Sequence, residues 1–326
     1  MVISYLIKNR RKYKRIKLAK GMNLQSFSTK SRDGETGISS VPFGKVWFET
    51  PKGDALFKTY DGNMTKIRVL NELLYNNLAK KHNVSVAEYE PAHSHKKVGL
   101  VSYNIIKDKN KELVSIQRLY GKIIYNLTYQ NIIAHFNLVK GNTNTDKLAF
   151  DLFKLMVLDA LTFQEDRHNN LNFLYDKQTQ SYELAPAIDN ELAFGGSTLC
   201  VALDQKEQLG TSGFLFDHGI NLHYFCNDES ILADNDKIYR KDVEQIVLLA
   251  KTKPTYWEYL RQTLKNFDIN KSIKEVEKMG YYISPNYKEY LTKISELSIK
   301  TFAQAIIKYT QTEKHEDHST DIHTTR

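Results

Sequence analysis

The spacing of apolar positions changes twice along the chain. Over residues 1–35 they are scattered among Lys, Arg, Ser, Thr, Asn and Gly, which predicts irregular structure with room for one strand. From Val41 onward β-branched and aromatic residues cluster. Lys45–Thr50 and Ala55–Tyr60 flank Pro51-Lys52-Gly53-Asp54, the pattern of two strands joined by a short turn. Residues 65–82 then switch to helical spacing, with Ile67, Leu70, Leu74 and Leu78 on one face. Val84–Glu90 and Val98–Ile106 read as two further strands. The first part of the chain is therefore a small sheet with one helix packed on it.

After about residue 126 helical spacing dominates. Residues 127–139 and 145–163 form two helices. The second is strongly apolar through Phe150, Phe153, Leu155, Val157, Leu158 and Leu161, which predicts deep burial. Asn172–Tyr175 and Ser181–Leu184 read as short strands about a turn, and residues 186–220 as loop. Helices resume near 241–251, 254–266, 270–280 and 286–311. The expected architecture is α+β and bilobal, of the protein-kinase-like kind. A β-rich N-lobe (1–115) and a larger helical C-lobe (116–311) enclose a cleft. The polar residues 312–326, with His315, His318 and His323, read as a disordered tail.

Composition narrows the class. Of 326 residues, 41% are hydrophobic and 26% charged, an ordinary globular balance. The net charge of +8 suits an anionic partner without choosing one. Much of it lies in the run Lys8–Lys20, a solvated face or a docking patch. Cys200 and Cys226 imply neither a disulfide framework nor a metal site. No apolar run is long enough to span a bilayer, and no apolar stretch follows the basic N-terminus as a secretory signal requires. The expectation is a cytoplasmic chain, with export by a signal-independent route left open.

The candidate chemistry is phosphoryl transfer from ATP with Mg²⁺, which demands a cation on the phosphates, hard oxygen ligands for metal and a carboxylate at the acceptor hydroxyl. Lys58, in the apolar strand Leu56-Phe57-Lys58, is the phosphate-binding lysine. Glu72, fourteen residues on, lies on the following helix where it can fix that lysine. Asp166-Arg167-His168 follows the apolar helix and is trailed by Asn169, Asn170 and Asn172, which suits a catalytic loop with Asp166 as base. Asn170 or Asn172 is the candidate second metal ligand. Asp189, ending Leu184-Ala185-Pro186-Ala187-Ile188-Asp189-Asn190, is the main metal ligand. Gly44 and Lys45 close a stretch of small residues from Gly34 whose amides can cover phosphates.

Several of these segments resemble the HipA-like serine/threonine kinases, over roughly residues 37–310. Asp159-Ala160-Leu161 through Asp166-Arg167-His168 to Asn172-Phe173-Leu174-Tyr175-Asp176 resembles their catalytic loop. Leu184–Asn190 resembles their metal-binding segment, Leu56-Phe57-Lys58 their ATP-lysine strand, and Lys80–Glu90 the end of their first helix and the next strand. The likeness is greatest to the short, single-chain members. It implies a protein serine/threonine kinase using ATP and Mg²⁺, often autophosphorylating, with Lys58 on the phosphates, Asp166 and His168 in the catalytic motif and Asp189 on metal. It also implies that secretion or delivery to host cells, as in virulence, is open to this chain. One departure is Leu171, where the family usually carries its metal-binding asparagine. The run after Asn170 tracks the family, which favours Asn170 over Asn172. No N-terminal extension of the longer toxins is evident, so no DNA-binding partner is expected. The same Asp-Arg-His motif resembles phosphoinositide kinases, so a lipid substrate at a membrane surface is one alternative. A nucleotide-binding pseudokinase is another.

Overall fold

In the computed structural model the described residues are 14–15, 45–50, 53–59, 63–94, 97–120, 128–139, 141–164, 167–195 and 229–320. The fold is α+β. Strands β1 (Lys14–Arg15), β2 (Lys45–Thr50) and β3 (Gly53–Thr59) precede helix α1 (Asn63–Lys81), and β4 (Tyr89–Ser94) and β5 (Lys97–Tyr103) follow it. These strands form one sheet in the order β1-β4-β5-β3-β2, antiparallel except for the β1–β4 pair. The expected hairpin is present. Thr50 lies opposite Gly53, so β3 starts two residues before its apolar run.

The strand expected at Val84–Glu90 begins instead at Tyr89. The preceding residues are claimed by other partners. Val84 N donates to Ala79 O at 2.9 Å, finishing α1, and Ala87 N donates to Ala187 O at 3.0 Å. Buried backbone groups must be paired somewhere, and here the pairing is with α1 and a distant segment rather than a ladder.

A second sheet joins β6 (Lys111–Ser115) to β7 (Asn172–Asp176) and β8 (Ser181–Leu184). Between β6 and β7 lie α2 (Ile116–Tyr120), α3 (Tyr129–Leu138), α4 (Thr145–Leu161) and the one-turn α5 (Arg167–Asn170). Residues 111–115 carry no strand assignment from sequence. Their partner is separated from them by four helices, so local pattern does not show the strand. Side-chain caps start α3 and α4, with Thr128 accepting from Asn131 N and Asn144 from Lys147 N.

Among the described residues four long helices follow: α6 (Glu229–Lys251), α7 (Pro254–Asn266), α8 (Ile269–Lys278) and α9 (Pro285–Thr320). Helix α6 starts twelve residues before its expected position. Helix α9 runs through Thr320, so residues 312–320 are helical rather than a disordered tail. Among the described residues no helix is long and apolar enough to cross a membrane.

One apolar core runs through both halves, from Leu70, Leu74 and Leu78 of α1 to Phe153 and Leu158 of α4, Val247 of α6 and Leu291 of α9. Every residue from Val69 to Asn76 is buried, so α1 is covered on all sides. Each leucine removed from water there contributes about 1.5–3 kcal/mol. Helix α8 turns Ile269, Ile273 and Val276 inward and packs on α1. The helix that carries Glu72 is thus clasped between the sheet and the C-terminal helices.

Candidate active site

Lys58 points into this core from β3 and is only 6% exposed. A buried ammonium is costly unless it is partnered. Nζ donates to Glu72 Oε1 and Oε2 at 3.0 and 2.9 Å, and to Asp189 Oδ1 at 2.6 Å. The Tyr89 ring centroid lies 6.0 Å from Nζ, and the Tyr89 side chain is hydrogen-bonded to Glu72. Burial alone would discharge Lys58, but the carboxylates of Glu72 and Asp189 outweigh it and hold the ammonium well above its ordinary pKa. Glu72 is pushed up by its complete burial, which the Lys58 charge offsets only in part.

Asp189 sits where the segment after β8 turns. Its φ of 54° is in the left-handed region, which Asp tolerates better than most residues. The approach is fixed, because Ala187 N donates to Ser85 O at 2.9 Å and Ala187 O accepts from Ala87 N. Glu72, Asp189 and Glu191 each offer a carboxylate oxygen within 4.8 Å of the others. Hard oxygens so grouped fit Mg²⁺. Arg68, one turn before Glu72, reaches Glu191 at 3.4 Å. Asn71 ties the same helix to the turn, since its Nδ2 donates to Glu191 O at 3.1 Å and Ala193 O at 2.7 Å while its Oδ1 accepts from Tyr287 OH.

Asp166 lies outside the described residues, as does Gly44. Arg167, the residue after Asp166, is placed and strongly held. Nε and Nη2 form a fork on Asp159 at 2.8 and 3.0 Å, Nη2 also donates to Asn190 Oδ1 at 2.6 Å, and Nη1 donates to Ile188 O at 3.4 Å. Burial opposes the charge, but Asp159 and Tyr75 overcome it and raise the guanidinium further. His168 falls within α5. Asn170 ends that helix half-buried. Asn172 is buried at the start of β7, with Nδ2 donating to Asn170 O at 3.0 Å. Lys45 opens β2 directly across the ladder from Lys58.

The loops flanking the site are joined by strained backbone. Phe163 (φ 47°) and Phe194 (φ 57°) are both buried in the left-handed region, unusual for bulky residues. Phe194 N donates to Thr162 O, and Gly195 N to Phe163 O at 3.3 Å. Such outliers persist only where the surroundings over-determine them. Leu113, Leu174 and Ala185 form a separate small apolar cluster with Ile105 and Ile106 packed on it.

The structure brings Lys58, Glu72 and Asp189 into direct contact. It adds residues that sequence reasoning did not assign to the site: Asn71, Tyr75, Asn190 and Glu191. Asp159 entered only through the family resemblance. A signal existed for Asn71, which with Glu72 interrupts the apolar positions Val69, Leu70, Leu73 and Leu74. Nothing local distinguishes Tyr75 from a core tyrosine.

Fold and site together define an α+β chain with a buried cation clamped by carboxylates, suited to a polyanionic ligand carried with a divalent metal. Among solved structures, the chain is similar to the proinflammatory kinase CtkA of Helicobacter pylori, at 14% identity and a TM-score of 0.49, covering 82% of this chain and 96% of that one. It is also similar to HipA of the Shewanella oneidensis MR-1 toxin–antitoxin system, solved with HipB and operator DNA, at 12% identity and a TM-score of 0.47, covering 88% and 73%. No protein-family model and no curated protein matches the chain.

Proposed function

We propose that this chain is an ATP-dependent protein kinase that transfers the γ-phosphoryl group to a Ser or Thr hydroxyl, its own chain among the acceptors. The observation that carries the reading is the buried Lys58 ammonium held between Glu72 and Asp189. Lys58 holds the α- and β-phosphates, and Glu72 keeps it aimed. Asp189, the partly exposed member of the trio at 31% of its side chain, turns from Lys58 to the metal. Asn170 is the second metal ligand, since Asn172 is drawn back onto its own loop. Mg²⁺ neutralises phosphate charge when bound. Backbone amides at Gly44 and Lys45 would cover the phosphates, and His168 belongs by sequence to the catalytic motif with Asp166.

In the transfer step the acceptor oxygen forms a bond to the γ-phosphorus as the bond to the β–γ bridging oxygen breaks. ADP leaves, and the hydroxyl proton passes to Asp166.

Incubation with γ-labelled ATP and Mg²⁺ tests this directly. Label is expected on the chain or on an added protein, and Asp166→Ala is expected to abolish it while preserving the fold. Nucleotide binding without any turnover would make the chain a binding module instead. Label appearing on phosphoinositide vesicles and on no protein would make it a lipid kinase.

A further inference from the structure

Resting on the transfer reaction above, we propose that Tyr75 and Asp159 are positioning residues. Through Arg167 they hold the loop that carries Asp166 in register with the helix that carries Glu72 and the turn that carries Asp189.

The geometry is a closed network of four side chains from four separate segments. Tyr75 (α1) donates through its hydroxyl to Asp159 Oδ1 (α4) at 2.7 Å, and the Tyr75 hydroxyl oxygen in turn accepts from Arg167 Nη2 at 3.1 Å. Asp159 takes the Arg167 fork, and Asn190 takes Nη2. The Arg167 guanidinium carbon lies 5.6 Å from the centre of the Tyr75 ring. Arg167 and Asp159 are nearly buried, with 13% and 12% of their side chains exposed. A paired, desolvated fork of this kind has one good geometry, so it transmits position rather than yielding.

The chain positions carry the argument further. Arg167 is the residue after Asp166. Asn190 is the residue after Asp189. Tyr75 is one helical turn after Glu72, on the same side of α1. Each segment that must meet at the phosphates therefore lends its neighbouring residue to one buried network. An ion pair serving stability alone has no need of that coincidence. Placement of a base within hydrogen-bond reach is worth far more in rate than in stability, because displacement by about 1 Å can cost about a hundredfold.

Loss of Arg167 or Asp159 outright threatens the fold, so the decisive variant is Tyr75→Phe, which removes one hydroxyl and keeps the ring. It is expected to lower kcat about tenfold with the KM for ATP within about twofold of wild type. Hydrogen–deuterium exchange is expected to quicken in peptides spanning 164–171 and to stay unchanged in α7–α9. Tyr259→Phe is the control, because it removes a similar bond, to His82 O at 2.9 Å, from the far end of the same helix. That variant is expected to leave kcat and exchange in 164–171 as they are. A Tyr75→Phe variant with wild-type kcat and wild-type exchange overturns the proposal, as does one no slower than the control. If wild type transfers no phosphate, the kinase reading fails, and unchanged exchange in 164–171 of Tyr75→Phe still overturns the positioning role by itself.

Discussion

Lys58 and Arg167 are both buried cations on carboxylates, yet their surroundings differ in kind. Arg167 is held by four groups. Asp159, Tyr75, Asn190 and the Ile188 carbonyl take up its donors, and all of them belong to well-packed segments. Lys58 has one permanent partner, Glu72, which is fully buried, and one on the rim, Asp189, which is partly exposed. An ammonium is a compact point charge that exchanges acceptors freely, whereas a guanidinium fork is committed to a planar geometry. The pair teaches that burial of a charge does not by itself mark a working residue. A cation whose second partner is partly exposed can exchange it for a ligand, while one forked on a buried carboxylate fixes the frame around it.

That contrast is open to breakage. The largest effect is expected from Asp189→Asn, which removes the replaceable partner. Phosphate transfer should fall at least about 10³-fold while the melting temperature moves by only a few degrees. A variant that unfolds instead would place Asp189 with the frame. Arg167→Met should show the reverse signature. It leaves the Asp159 charge buried and unpaired, at a cost of about 3–5 kcal/mol in urea unfolding. Full stability in that variant would erase the distinction.

Asn71→Ala sharpens the comparison from between the two cations. It strands the carbonyls of Glu191 and Ala193 and the Tyr287 hydroxyl, so about 2 kcal/mol of stability should be lost along with part of the Lys58 alignment.

The smallest effect concerns a base with no ion partner. His82, just past the end of α1, is 5% exposed, stacks on Phe267 at 5.9 Å and has no hydrogen bond to Nε2 among the described residues. Burial, with some help from Lys81, pushes its pKa down to about 4. Because the folded value lies below the ordinary one, the unfolded chain binds the proton first as pH falls. Stability from the neutral ring is complete above about pH 6.5 and is lost progressively toward pH 4. Acidification from pH 7.5 to 5 should cost on the order of 2 kcal/mol through this group. His82→Phe should flatten that part of the pH–stability curve, and an unchanged curve would clear His82 of the role.

Much of the architecture was legible in local pattern. The β2–β3 hairpin, α1, α4 and the β7–β8 pair all fall where period and turn residues place them. Elements defined by distant partners were not. Strand β6 exists because β7 lies beside it, and Val84–Glu88 fails to be a strand because α1 and Ala187 claim its amides. Gly99 is a similar case. A Cβ there would meet the Lys58 carbonyl oxygen at 2.0 Å, so the residue keeps β5 close to the strand that presents the lysine, which no local signal announces.

For the proposed site, residue type and order along the chain were enough to name Lys58, Glu72 and Asp189 as candidates, because phosphoryl transfer restricts which groups are useful and in what sequence strands and helices present them. Only the tertiary structure decided that these three touch, that Asp189 is the partner on the rim, and that Tyr75, Asp159 and Asn190 enclose Arg167. The reason is physical. Chemical identity is a property of single residues and survives in a linear string, whereas a partner's distance, burial and exclusivity are created by packing between segments remote in the chain.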